Sequence, residues 1–163
     1  PKLCTQVMAK APVLAGTVTA ATATVAADGA AFVVVVADDF ETNAARSISI
    51  GPAKTIGSAP EDPALAPIPA IKGVLAKYGK TIDRVEMMEA YAVQSMACID
   101  GVGLDMHIVN SCGGALARGH PIGASGAILA VRLFYDLRPA QSGLAAIAAV
   151  GGFGQCGDIE RQV

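Results

Sequence analysis

Between Val109 and Asp136 a single histidine lies in a glycine-rich stretch, and this combination constrains the fold more than any other feature of the chain. Pro121 follows His120 directly. Glycines flank the histidine on both sides: Gly113, Gly114, Gly119, Gly123 and Gly126. Glycine permits backbone conformations and close approaches that other residues forbid, whereas the residue before a proline is disfavoured in a helix. We therefore predict that His120 lies on a tight turn at a helix start and points into a site.

Composition favours one domain whose surface is partly covered by another protein. The 163 residues suffice for a single core, and 53% hydrophobic with 16% charged residues is high for a free-standing domain. A net charge of -2 indicates no nucleic-acid surface. The longest apolar run, 30–37, is too short for a transmembrane segment, and no signal-peptide pattern opens the chain. We expect an intracellular, soluble protein, mitochondrial or cytosolic.

The cysteines are widely scattered and form no C-x-x-C pair. They are Cys4, Cys98, Cys112 and Cys156. We interpret them as reduced thiols, mostly buried small hydrophobes, and predict neither a disulfide framework nor a metal site.

Periodicity predicts a layered α/β domain. Dense β-branched residues over Ala31–Ala37 predict a strand buried on both faces, and Arg46–Ile50 alternates like a second strand that ends before Gly51-Pro52. Ile68, Ile71, Val74 and Leu75 then recur at helical spacing, which predicts a helix with Gly79 as its C-cap. The remaining elements are a short apolar segment at 85–88, helices over 89–99 and 128–134, and a buried strand over 144–150 that turns at Gly151-Gly152.

Four further features have ordinary structural interpretations. The G-x-G-x-x-G match at 152–157 lacks the following helix that a dinucleotide site requires, and the segment at 123–127 lacks the last glycine of a serine-hydrolase elbow. His107 lies at an apparent strand start, as a partly buried polar residue. Glu89 lies at a predicted helix start, where a carboxylate is favoured by the helix dipole.

The histidine stretch resembles the signature of the thiolase family, the acyl-CoA acetyltransferases. The similarity extends in order over nearly the whole chain. The matching segments are Gly16–Ala20, Asp28–Ala31, Gly51-Pro52, Gly57 to Ala70, Glu89–Gln94, Asn110–Ala127, Gly143–Ala145 and Gly151–Gly154. The resemblance implies a thiolase-like C-terminal domain, layered α/β/α with a mixed sheet of about five strands, over 45–163. Residues 1–44 would then close the first core domain, with one N-terminal strand in a sheet completed by another chain.

The resemblance also implies a Claisen condensation or thiolysis through an acyl-cysteine, with a coenzyme A thioester as substrate and no covalently bound cofactor. His120 matches the histidine that activates the cysteine. Thr24, Gly119 and Gly123 match positions on the coenzyme A side. No cysteine of this chain stands at the nucleophile position, which belongs to the first half of a typical thiolase.

Several family positions are changed. Met88 stands where the family has the asparagine of an oxyanion hole, Ala148 where it has the proton-transferring cysteine, Thr24 replaces a serine and Ala27 an asparagine. Two functions therefore remain open. The chain is either the C-terminal subunit of a thiolase whose partner chain supplies the cysteine, or an inactive structural or interaction subunit of a larger assembly. Both predict a protein partner and an isolated chain without activity.

Overall fold

A computed structural model describes residues 5–37, 39–40, 44–79 and 81–161. The helices are α1 (Thr5–Ala9), α2 (Pro67–Tyr78), α3 (Ala92–Val102), α4 (Ala115–Arg118) and α5 (Ser125–Asp136), with 3-10 turns at Pro63–Leu65 and Met106–Ile108. The strands are β1 (Val13–Ala15), β2 (Val18–Thr19), β3 (Ser49–Gly57), β4 (Arg84–Met87), β5 (Ser142–Ala149) and β6 (Phe153–Glu160). None of the helices in these ranges is long and apolar enough to cross a membrane.

The central sheet is mixed, as expected, with the strand order β3-β6-β5-β4. Strands β4 and β5 run parallel, with Val85 opposite Leu144, whereas β6 pairs antiparallel with both β5 and β3. In the described part of the chain the sheet has four strands, one fewer than predicted. Beyond β4, Val109 makes only an isolated parallel bridge to Val85. At the same outer edge, the side chain of Asn110 bonds the backbone N–H and carbonyl of Met87.

Helices cover both faces of this sheet, because successive strand side chains point to opposite sides. One core cluster joins α2 and α3 to alternate positions of β4 and β5: Ala70, Ile71, Val74, Cys98, Val85, Met87, Leu144 and Ala146. The intervening strand residues Ala145 and Ile147 face the opposite side and pack against α5 through Leu129 and Leu133. The α/β/α layering is therefore confirmed.

The predicted boundaries of α2 are confirmed, and those of α3 are shifted. Pro67 occupies the first turn of α2, where its missing N–H is no loss. Gly79 ends the helix at φ 55° and donates its N–H to the Leu75 carbonyl at 3.1 Å. Helix α3 begins at Ala92, so Glu89 precedes the helix instead of lying in its first turn.

One strand prediction is shifted, and another is not tested by this chain alone. The sequence predicts the strand over 31–37 within a sheet that another chain completes, and that pairing stays a prediction. Residues 31–37 belong to no strand, and Phe32 and Val34 are 89% and 91% exposed. Their pattern predicted burial on both faces, but a strand needs neighbours to receive its hydrogen bonds, and the described residues supply none. The second strand begins at Ser49 and continues through Pro52. A proline is tolerated there because β3 is an edge strand whose register shifts between Ile50 and Ala53.

Candidate functional site

His120 lies between α4 and α5, alongside an N-terminal segment formed by residues 23–27. Its backbone N–H donates to the Val25 carbonyl at 2.8 Å, and its carbonyl accepts from the Ala27 N–H at 3.4 Å. Ala26 and His120 thus form an isolated parallel bridge. Residues 122–124 make a turn before α5 begins at Ser125, so the turn predicted at a helix start is present. Hydrogen bonds to the N-terminal segment 23–27 therefore fix the backbone of His120.

Gly119 allows this close approach. Its backbone has φ 88° and ψ 174°, a region that is essentially restricted to glycine. A Cβ at this position would lie 2.6 Å from the Ala27 Cβ and 3.3 Å from the Val25 carbonyl oxygen. The structure therefore gives Gly119 a packing role against the 23–27 segment. A contact between Gly119 and coenzyme A stays a prediction.

The imidazole of His120 is oriented by a serine on the next helix. Its Nδ1 lies 2.6 Å from the Ser125 hydroxyl oxygen, and that hydroxyl donates to the Pro121 carbonyl at 3.0 Å. Burial lowers the pKa of His120 from its ordinary value of 6.5, which favours the neutral ring at neutral pH. A neutral imidazole with one nitrogen engaged by a fixed partner is the form that a general base requires.

Asn110 anchors the loop that leads to the histidine. Its backbone is left-handed at φ 46°, and its side chain completes the edge of β4 by accepting from the Met87 N–H at 2.8 Å and donating to the Met87 carbonyl at 2.9 Å. The amide also donates to the Glu89 carboxylate at 2.6 Å. The other Glu89 oxygen accepts the Leu116 N–H at 3.1 Å. A structural role for Glu89 is thus supported, but at the N-terminus of α4 instead of α3.

A buried ion pair holds the same loop from the side of α5. Arg132 Nε donates to Glu86 at 2.6 Å, and one Nη of Arg132 donates to the Gly113 carbonyl at 2.9 Å. Glu86 is 2% exposed. Burial raises the pKa of its carboxyl above 4.5, although the Arg132 guanidinium opposes that shift. Burying such a pair contributes little net stability, but leaving one partner alone is costly.

Two of the positions that differ from the family pattern, 88 and 148, are occupied by apolar side chains. Met88 is 6% exposed and packs with Ala115 and Leu129. A thioether cannot donate a hydrogen bond, and losing an oxyanion-hole donor costs roughly 2.7 to 4 kcal/mol of transition-state stabilisation. Ala148 lies near the end of β5, opposite Gly154 of β6.

The described cysteines differ in exposure. Cys98 and Cys156 are buried, as predicted, and Cys112 is exposed. Burial, and secondarily the charge of Asp158, raises the pKa of the Cys156 thiol to about 12. Such a thiol stays protonated at neutral pH and is a poor nucleophile. Cys4 lies outside the described residues.

A cleft of about 420 Å³ lies between residues 27–32 and the turn that follows the histidine, and its lining on that side begins at Pro121. Gly123 lines this cleft, and a Cβ added there would meet open space. Thr24 is placed differently. Its hydroxyl donates to the Ala115 carbonyl at 2.8 Å, and its N–H donates to the Ala90 carbonyl at 3.0 Å. Of the residues predicted on the coenzyme A side, Gly123 borders open space, whereas Thr24 and Gly119 contact the chain itself.

Sequence reasoning missed several residues that build this site. The sequence places Ser125 only in a segment that fails as a hydrolase elbow. It predicts no role for the carboxamide of Asn110 or for the Glu86–Arg132 pair. The spacing of Ser125, four residues after Pro121 at a helix start, was the available signal. His107 is exposed in the 3-10 turn at Met106–Ile108, so its expected partial burial in a strand is wrong. Among the described residues, no cluster of three or more His, Cys, Asp or Glu could hold a metal ion.

Comparison with known families assigns most of the chain. The model of the thiolase C-terminal domain matches residues 41–161. An acetyl-CoA acetyltransferase of Thiocystis violacea is 41% identical over 157 residues, which are 90% of this chain and 39% of that protein. The chain therefore spans about two fifths of the length of this curated relative.

Solved structures show the same relation. The dimeric peroxisomal thiolase of Saccharomyces cerevisiae superposes with a TM-score of 0.85 at 27% identity, covering 99% of this chain and 44% of that one. The Acat5 thiolase of Ascaris suum, solved in complex with coenzyme A, superposes with a TM-score of 0.80 at 27% identity and covers 98% and 44%.

Proposed function

Because the chain belongs to the thiolase family, we propose that it forms the C-terminal half of an acyltransfer site whose nucleophilic cysteine comes from a partner chain. The partner would have the fold of a thiolase first half, and the substrate would be a coenzyme A thioester. One observation carries this proposal. Burial favours the neutral form of His120, hydrogen bonds hold both its backbone and its Nδ1, and the next residue, Pro121, lines an open cleft.

In this proposal His120 acts as a general base. The free ring nitrogen takes the proton of the partner's thiol, and the resulting thiolate attacks the acyl carbonyl. The bond between that carbonyl carbon and its leaving group then breaks, which leaves an acyl-cysteine. The leaving group is the coenzyme A thiolate or, in thiolysis of a 3-ketoacyl thioester, the carbanion at C2, and it takes up the proton. The cleft beside Gly123 would receive part of the coenzyme A substrate, and binding of coenzyme A by the Ascaris suum neighbour supports this assignment. Thr24 would act indirectly, by joining the N-terminal segment to Ala115.

A second function is favoured by Met88 and Ala148. With a thioether packed into the core and no thiol at position 148, the site lacks two groups that the family resemblance implies for the chemistry. A thiolase-derived subunit that only binds partners would tolerate both changes. It would keep the glycines and prolines that form the fold while losing the reactive groups.

Reconstitution tests the first proposal. The full chain is mixed with the first half of a thiolase relative, and acetoacetyl-CoA thiolysis is followed. We expect no turnover by the chain alone and turnover by the complex. His120→Ala should lower the rate of the complex by about 10²- to 10⁴-fold, the usual contribution of a general base. His107→Ala is the matched control, because this histidine is exposed in a separate 3-10 turn.

Two results would overturn the enzymatic proposal. The first is turnover by the isolated chain, which would mean that no external cysteine is needed. The second is a stable complex with no turnover. In that case Ala148→Cys distinguishes the two functions, since activity that appears only in the variant complex identifies the natural chain as a non-catalytic subunit. Identifying the chains that co-purify with it gives an independent measurement, and partners from an unrelated assembly would also support the second function.

A further inference from the structure

We propose that Ser125 is a positioning residue that holds His120 as the Nδ1–H tautomer and leaves Nε2 as the ring nitrogen with a free lone pair. The proposal rests on the proposed function only where it makes His120 a base. The tautomer itself follows from the hydrogen bonds around the ring. Which nitrogen of a histidine carries the proton is set by the partner of the other nitrogen.

The Ser125 hydroxyl has a single hydrogen and two hydrogen-bond contacts. Ser125 Oγ lies 2.6 Å from His120 Nδ1 and 3.0 Å from the Pro121 carbonyl oxygen. A carbonyl only accepts, and a serine hydroxyl has one hydrogen to donate. If that hydrogen goes to Pro121, the bond to the ring forms only when Nδ1 is the donor. The reverse arrangement would place the ring hydrogen on Nε2 and leave the 3.0 Å contact between two oxygens without a hydrogen.

Ser125 is fixed in this position by its surroundings. The residue is 3% exposed, so the hydroxyl has little access to water as an alternative partner. It begins α5, and its own backbone N–H also bonds to the Pro121 carbonyl at 2.9 Å. Pro121 has a restricted φ. The histidine backbone is held on the other side by Val25 and Ala27. Both ends of the hydrogen bond are therefore positioned before any ligand binds.

Nitrogen NMR of the full chain measures the tautomer directly. The chain contains 2 histidines, so ¹⁵N-histidine labelling with His107→Gln leaves the signals of His120 alone. At alkaline pH, where the ring is neutral, we expect Nδ1 at the shift of a protonated ring nitrogen and Nε2 at the shift of an unprotonated one. A predominantly Nε2–H ring in the otherwise unchanged chain would overturn the proposal.

Substitution of the serine tests the cause. Ser125→Ala should remove the single tautomer and move His120 toward the Nε2–H form that free histidine prefers, whereas Ser125→Thr keeps a hydroxyl and should keep Nδ1–H. Ser111→Ala is the matched control, because Ser111 is exposed in the same loop. An unchanged tautomer in a folded Ser125→Ala chain would overturn the proposal. If that variant does not fold, as its amide spectrum would show, the tautomer of the natural chain decides.

The measurement involves no thioester, so it separates this proposal from the proposed function. An Nδ1–H ring in a chain that never supports thiolysis would uphold the positioning role of Ser125 and reject the acyltransfer role. Thiolysis that depends on His120, together with an Nε2–H ring, would uphold the acyltransfer role and reject the positioning role of Ser125.

Discussion

Arg132 and Glu86 form a pair in which each residue depends strongly on the other. Glu86 is almost fully buried, and its main compensating charge comes from the Arg132 guanidinium, which also donates to the Gly113 carbonyl. We expect Arg132→Met to lower the free energy of unfolding by roughly 3 to 5 kcal/mol at neutral pH, because it leaves a carboxylate buried without its partner. Urea unfolding measures this change.

The titration of Glu86 gives the free energy of unfolding a pH dependence of defined sign. Burial raises the folded-state pKa of Glu86 above 4.5, so the folded protein binds this proton more tightly than the unfolded chain. The stability from this group is complete below that value and is lost as the pH rises through the folded pKa. The cost of Arg132→Met should therefore shrink at acidic pH, and Glu86→Gln/Arg132→Met should recover most of the stability at neutral pH. An equal loss in the single and double variants would contradict this account.

Single residues also show what a linear sequence leaves open. His120 was found because its neighbours are glycines and a proline, which act through the local backbone. Ser125 and Asn110 act through side-chain contacts with the His120 ring and the Met87 backbone, and Glu86 lies 46 positions away from its partner Arg132. No local pattern predicts the Asn110 and Glu86 contacts, because they depend on how separate elements pack, whereas Ser125 lies only five positions from His120.

At the scale of elements, the N-terminal segment 23–27 and the histidine turn should be coupled through Gly119. Gly119→Ala places a Cβ against Ala27 in a backbone region that costs about 1 to 3 kcal/mol for other residues. We expect faster hydrogen exchange of the Ala27 and His120 amides, which bridge the two segments, and faster proteolysis within 20–30.

Gly123→Ala is the matched control for this prediction. It adds the same methyl group in the same loop, where nothing lies within 4 Å of the new Cβ. Equal exchange rates in the two variants would show that the close approach at Gly119 does not hold the segment in place.

Elements with strong local signals were predicted well. Helix α2 has a proline in its first turn and a glycine at its end, and both boundaries are confirmed. The strand at 144–150 is present as β5, Ser142–Ala149. Elements defined by their neighbours were not predicted well. Strand β3 continues through Pro52 because it is an edge strand, and residues 31–37 form no strand because the described chain places no neighbour beside them.

At the scale of the whole molecule, the exposed apolar residues of 31–37 should determine how the chain associates. We expect the isolated chain to self-associate, because this uncharged, β-branched run is open to pairing with another chain. Val34→Lys should reduce the species larger than a monomer in sedimentation velocity, since it introduces a charge into the middle of the run. A natural chain that stays monomeric over a wide concentration range would contradict this expectation and the need for a partner.

Val150→Lys is the matched control for sedimentation. Val150 is 96% exposed but lies in the turn between β5 and β6, away from the 31–37 run. A reduction that is specific to Val34→Lys assigns self-association to the run. Similar reductions in both variants would point to added charge in general.

The family, the α/β/α layering and the location of the histidine turn could all be predicted from the amino-acid sequence. These depend on hydrophobic periodicity, on glycine and proline, and on motifs that lie close together in the chain. The three-dimensional packing was needed to show which side chains hold the histidine, which glycine permits the N-terminal segment to approach and which apolar run is left exposed. Apart from the contact between Ser125 and His120, which are five positions apart, those properties arise from contacts between residues far apart in sequence, and local patterns do not encode such contacts.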